Sequence, residues 1–157
     1  MSFPAKGKPY RLTNKAIAEG AERLAESDPA LKKVLSQFGP PPLLRRPARF
    51  ATFIHIILEQ QVSVESAKAT FDRLTTRCGE EVSPRAVQRL GEARLREMGF
   101  SRQKTRYSLR LADDCLNGTF DIPSLAKMDD GGVRNQIVAR LGLGNWSADV
   151  FLMMALL

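Results

Sequence analysis

Apolar residues recur at three- and four-residue intervals along nearly the whole chain, and prolines, glycines and small polar residues interrupt them often. That pattern predicts many short, capped helices and no strand. Thr13 opens a stretch with Ile17, Ala21, Leu24 and Ala25 on one face, closing near Asp28. Asp28-Pro29 pairs an N-cap with the proline favoured at the first helical position, which starts a helix over Ala30–Phe38 with Gly39 as its stop. Pro40, Pro41 and Pro42 form a stiff connector into Leu43–Pro47. From Pro47 a helix runs through Phe50, Phe53, Ile54, Ile57 and Leu58, too apolar for a surface position and so predicted to be central.

Ser63 caps the next helix, with Ala67, Phe71 and Leu74 inward and Gly79 ending it. Ser83-Pro84 begins a short helix containing Val87 and Leu90, and Ala93–Met98 adds a turn or two before Gly99. Ser101 caps a longer helix that buries Tyr107, Leu111, Ala112 and Cys115 and ends at Asn117-Gly118. After Ile122–Met128, Val133–Arg140 and Trp146 onward form two arms around Leu141-Gly142-Leu143-Gly144. Two glycines so spaced suit a tight hairpin whose backbone N–H groups meet an anion at the start of the following helix. Such a turn holds a nucleic-acid backbone without reading its sequence.

Composition narrows the class of partner. The 157 residues carry a net charge of +7, with 43% hydrophobic and 26% charged residues, which suits a globular chain that meets a polyanion. Basic residues gather as Lys6, Lys8, Arg11 and Lys15, then Arg45, Arg46 and Arg49, then Arg102, Lys104, Arg106 and Arg110. A solvated face is the alternative for each cluster. Cys78 and Cys115 match no metal-ligand spacing and read as reduced thiols of a cytoplasmic protein. No stretch has the length of a membrane span, and the first residues lack the apolar segment of a secretory signal.

Three motifs stand in order along the chain. Ile57-Leu58-Glu59-Gln60-Gln61-Val62-Ser63 sets two glutamines between an apolar helix and a capped one. Gly99-Phe100-Ser101-Arg102-Gln103-Lys104 is a glycine turn leading into a capped helix that presents a lysine. The hairpin Leu141–Ala148 is the third. Together they resemble the helix-hairpin-helix DNA glycosylase superfamily, most closely its DNA-3-methyladenine glycosylase II family, over residues 12–157. The resemblance implies an all-α domain behind a basic tail of residues 1–11, with the hairpin near 138–150.

It also implies an activity. Members extrude a damaged purine from duplex DNA and hydrolyse its N-glycosidic bond, and extrusion costs least for a weakly paired base. An alkylated purine such as 3-methyladenine is cationic and a good leaving group, and a carboxylate stabilises the oxocarbenium-like sugar. In the family that carboxylate is an aspartate expected about ten residues past Leu157, less than three helical turns on. The chain is therefore read as incomplete at its C-terminus, without the helices that close the base pocket and with no catalytic residue of its own. Asp149 lies one turn into the helix and reads as a dipole-favoured carboxylate.

By the same resemblance, Trp146 stands where strand-nicking relatives carry a Schiff-base lysine, so the implied mechanism is monofunctional with water as nucleophile. Trp146 either lines the base pocket, where an indole attracts a cationic base, or packs the hairpin on the core. Gln61 matches the residue that fills the gap left by the flipped base, and Gln60 is expected to satisfy buried backbone groups. Gly142, Gly144, Ser147 and Lys104 are the expected contacts to DNA, Ser147 through phosphate or as a helix cap. The loop carbonyls at Leu141 and Gly144 are candidates for a structural sodium or potassium ion, with no other cofactor. His55 reads as a satisfied core histidine rather than a ligand or base. The implied protein is a monomeric, cytoplasmic, nucleoid-associated enzyme of base excision repair acting on damaged double-stranded DNA. The alternative is a non-catalytic DNA-binding module.

Overall fold

The computed structural model describes residues 12–79 and 81–157, and the basic tail expected at residues 1–11 lies outside them. All regular structure among the described residues is helical. The chain divides into two compact units, one ending at Arg45 and including Leu157, the other spanning Arg46–Leu156.

In the first unit, α1 (Asn14–Ser27) packs on α2 (Pro29–Phe38). Thr13 Oγ1 accepts the Ala16 N–H at 3.1 Å, and the Asp28 carboxylate accepts the N–H groups of Ala30 and Leu31, so both caps form as their residue types predict.

The second unit is built around α3 (Phe50–Glu59). Phe53, Ile54, Ile56 and Ile57 are completely buried, because this helix is apolar on every side rather than along one stripe. It packs against α4 (Val64–Cys78), α6 (Arg102–Leu116) and α9 (Asn145–Phe151). Phe53 stacks on Phe151 with ring centroids 4.3 Å apart and meets Phe120 edge-on at 5.3 Å, tying α3 to the far end of the chain. Pro47 does not start this helix. Residues 47–49 form a turn in which the Pro47 carbonyl accepts from Arg49 N–H and Thr52 Oγ1, and α3 begins at Phe50.

The segments expected at 84–90 and 93–98 form the two helical pieces of α5 (Pro84–Glu97), broken at Gly91, whose φ of 67° and ψ of −179° are not helical. After α7 (Ile122–Leu125), the first hairpin arm α8 (Asp130–Val138) starts three residues earlier than the apolar pattern suggests. Its N-cap, Asp129, accepts from Gly132 N–H at 2.8 Å, and the glycines of the first turn contribute nothing to an apolar period. The second arm is α9, which passes into a π-helical turn over Leu152–Leu156.

The residue leading into the hairpin turn is anchored electrostatically. Arg140 Nη1 lies 3.5 Å from Asp114 Oδ2, both side chains are largely buried, and the guanidinium sits 5.6 Å from the Phe120 ring centre. Asp114 also accepts from Arg110 Nε at 3.1 Å. Replacing Asp114 by alanine strands Arg140 without its counter-charge, and should cost about 3 kcal/mol in urea-induced unfolding. A loss below about 0.5 kcal/mol would show that the pair holds nothing.

Candidate nucleic-acid interface

The C-terminus of α3 and the α8–α9 hairpin form one continuous surface. Gln60 Nε2 donates to the Gly142 carbonyl at 2.8 Å and lies 3.5 Å from Ser147 Oγ, so one amide joins the end of α3 to both sides of the turn. Gln60 thus satisfies backbone across the helix junction, as its position predicts. Beside it, Lys104 Nζ donates to the Leu58 carbonyl at 2.7 Å. A cation at the carbonyl end of a helix is favourably placed, and burial lowers the lysine's pKa. One of the three ammonium donors of Lys104, expected as a contact to DNA, is thus engaged inside the protein, at the carbonyl pole of another helix.

The two hairpin glycines serve different ends. Gly142 has a φ of 83°, and a Cβ there would lie 2.1 Å from Tyr107 Cδ2, so the turn presses flat against the Tyr107 ring. Gly144 has an ordinary extended backbone, and nothing lies within 4 Å of where its Cβ would stand. It is the N-cap of α9, and no side chain caps that helix. The first-turn N–H groups of α9 consequently keep their positive potential for an outside acceptor.

A cleft of about 300 Å³ opens at this corner, lined by Glu59, Gln60, Gln61, Gly144, Trp146 and Ser147. Trp146 is 52% exposed, so about half of the indole is open to the cleft. Gln61 is exposed and has a φ of 56°, a left-handed residue where α3 turns toward α4. Ser147 is only 1% exposed and does not cap α9. One helical step separates it from Trp146, and that rotation turns it inward, so its hydroxyl serves Gln60 and is withdrawn from a phosphate outside. Asp149 does not line the cleft and pairs with Arg134 at 2.5 Å, an exposed ion pair.

Glu59 is the residue that sequence reasoning passed over. Arg46 grips it in two hydrogen bonds, Nη1 to Oε2 at 2.8 Å and Nη2 to Oε1 at 2.5 Å, with both side chains mostly buried. Burial pushes the carboxyl upward, but the Arg46 hydrogen bonds and charge outweigh it and hold Glu59 below its ordinary value. The Arg46 backbone N–H also donates to the Met154 carbonyl at 2.8 Å. The signal available was Glu59 one turn after His55; its real partner stands thirteen residues earlier.

His55 stacks on Phe71 with centroids 4.5 Å apart, yet its buried Nε2 has no hydrogen-bond partner among the described residues and sits 3.7 Å from Glu59 Oε1. The expectation of a satisfied core histidine is corrected: the carboxylate beside it is already engaged by Arg46. Burial first, and then the Arg46 charge, lower its pKa and keep it neutral.

Of the two carbonyls expected to hold an ion, Gly144's accepts from the Ala148 N–H at 3.1 Å, whereas Leu141's accepts no hydrogen bond from the described residues. No group of His, Cys, Asp and Glu suited to a metal occurs among them, and none of their helices is long and apolar enough to cross a membrane.

Two outcomes follow from this geometry. Gly142→Ala combines a left-handed alanine with a clash on the Tyr107 ring and should lose about 2–4 kcal/mol of unfolding free energy, whereas Gly144→Ala should stay within about 0.5 kcal/mol. Equal losses in the two would refute the division of labour. For pH, the folded His55 binds a proton less readily than the unfolded one, so stability is full above its ordinary pKa of 6.5 and falls as pH drops through it. His55→Phe, which keeps the stack on Phe71, should flatten the decline in melting temperature between pH 7 and 5. An unchanged decline would assign it to other groups.

Comparison with known proteins agrees with this surface. The model of the HhH-GPD superfamily base excision DNA repair proteins matches residues 54–152, which include the C-terminal part of α3, the cleft and the whole hairpin. YfjP of Bacillus subtilis, whose assigned name is DNA-3-methyladenine glycosylase, is 22% identical over 137 residues, covering 83% of this chain and 48% of the relative. The chain thus spans about half the length of that relative. Its fold is shared with the DNA-3-methyladenine glycosidase of Bacillus halodurans, at a TM-score of 0.70 and 24% identity over 92% of this chain and 64% of that one. It is shared also with the Schizosaccharomyces pombe 3-methyladenine DNA glycosylase Mag1 in complex with abasic DNA, at a TM-score of 0.77 and 18% identity over 88% and 70% of the respective chains. With its matched span covering most of the second unit and every cleft residue, the chain belongs to the HhH-GPD superfamily of base excision DNA repair proteins.

Proposed function

We propose that this chain is the helical core of a monofunctional DNA glycosylase that hydrolyses the N-glycosidic bond of alkylated purines, such as 3-methyladenine, in duplex DNA. The observation that carries the proposal is the corner where the uncapped start of α9 at Gly144 adjoins a cleft walled by Trp146 and Gln61. The free N–H groups of α9 supply a phosphate grip, and no side chain at Gly144 obstructs the approach. A half-exposed indole beside that grip supplies a flat, electron-rich face for an extruded base, with added attraction when alkylation makes the base cationic. Gln61 stands exposed at the rim, in place to occupy the stack the base has left.

Trp146 has no amine, so no Schiff base forms at this position, and water completes the reaction to leave an abasic site. Glu59 lines the cleft, but both its oxygens are engaged by Arg46, which offsets the negative charge an oxocarbenium sugar needs. The aspartate that the resemblance calls for to stabilise the sugar is not assigned to a residue of this chain: Asp149 is engaged by Arg134.

The test is a glycosylase assay of the natural full-length polypeptide on duplex DNA containing 3-methyladenine, in which release of methylated base is expected. Trp146→Ala should lower excision at least tenfold with duplex binding kept, and Gly144→Ala should weaken duplex binding severalfold with folding kept. Tight duplex binding without base release in the full-length form would make the protein a non-catalytic DNA-binding module instead.

A further inference from the structure

A second basic surface begins one side chain away from the hairpin. On α6, Arg102, Arg106 and Arg110 follow one another at four-residue intervals, about 6 Å of helical rise apart. They line a groove of about 630 Å³, with Thr105 at its base and the acids Glu92 and Asp113 at its edges. Neither Arg102 nor Arg106 forms an ion pair among the described residues. Arg110 shares Asp114 with Arg140, and Asp113 is held by Gln88 Nε2 at 2.7 Å.

Within the protein this arrangement is electrostatically frustrated. Like charges four residues apart on a helix repel, and Arg102 also stands at the positive pole of α6. A polyanion relieves both conditions: it neutralises the arginines and opposes the helix pole.

The groove is joined to the hairpin by Tyr107, whose ring lies under Gly142 and whose hydroxyl meets Gln103 Nε2 at 2.5 Å. The Arg106 guanidinium is 5.7 Å from the centre of the same ring. We infer that the arginine face of α6 is a second backbone-binding strip, which holds phosphates of the duplex engaged by the hairpin and so extends the protein's footprint beyond the cleft. This inference rests on the reading of the chain as a duplex-DNA-binding protein.

The experiment is fluorescence anisotropy of the full chain with an undamaged duplex over a series of salt concentrations. The comparison is between wild type, an R102Q/R106Q/R110Q variant, and an R23Q/K32Q/K33Q variant with equal charge loss on α1 and α2. The α6 variant should bind about tenfold or more weakly near 0.1 M salt, and its log–log salt slope should flatten by about 0.9 for each phosphate that it no longer neutralises. The α1–α2 variant should keep the wild-type slope. Should the triple α6 variant melt early, the single substitution R106Q is read instead, with a slope change of about 0.9 expected for its one phosphate. An α6 variant with the wild-type slope, or an equal loss in the α1–α2 variant, overturns the inference. Wild type that ignores duplex DNA even at low salt overturns the proposed function and this inference together. Wild type that binds, weakens with Gly144→Ala and is unmoved by the α6 substitutions overturns this inference alone.

Discussion

The carbonyl end of α3 is the constraint on which the functional corner depends. A helix buried along nearly its whole length has its last carbonyls out of water, and they need donors from other parts of the chain. Lys104 supplies one to Leu58, and Gln60, just past the helix, carries the connection onward to the Gly142 carbonyl. These two hydrogen bonds join three segments that are far apart in sequence. The position of the hairpin relative to the cleft is a consequence of how α3 ends.

Around that end the second unit separates holding from presenting. Gly142, Tyr107, Gln60 and Ser147 hold: they are in contact with one another or with backbone, and they face inward or press on a ring. Gly144, Trp146 and Gln61 present: they are open, half-exposed or left-handed at the rim. The helical step from Trp146 to Ser147 is the sharpest instance, because adjacent residues on α9 are assigned opposite tasks by a rotation of about 100°. A nucleic-acid surface needs such pre-ordering, since any freedom left in the turn must be given up again when a phosphate is bound.

The polar groups buried beside this corner are less completely matched. Arg46 and Glu59 satisfy each other in a two-bonded pair, and the same pairing leaves His55 without an acceptor among the described residues. Arg140 likewise reaches Asp114 and the face of Phe120 while its Nε has no partner among them. Such groups cost stability wherever they stay buried. Their location next to the hairpin puts the pH sensitivity of the fold close to the cleft.

Several features were legible in the chain before any coordinates. Helix starts at Thr13, Asp28, Ser63, Ser83 and Ser101, the central place of α3, and the backbone-binding part of Gln60 follow from local rules, because capping and apolar burial depend on residue type and near neighbours. The hairpin and its missing Schiff-base lysine were legible for the same reason: four residues in a row define the turn, and one residue identity excludes the amine. The roles of Lys104, Gly142 and Glu59 were not. Each depends on a partner far along the chain, the Leu58 carbonyl, the Tyr107 ring and the Arg46 guanidinium, and no spacing in the sequence reports those meetings. Sequence by itself determined which residues can cap, pack or approach an anion; tertiary structure decided which of them meet inside the protein, because those meetings join segments far apart along the chain.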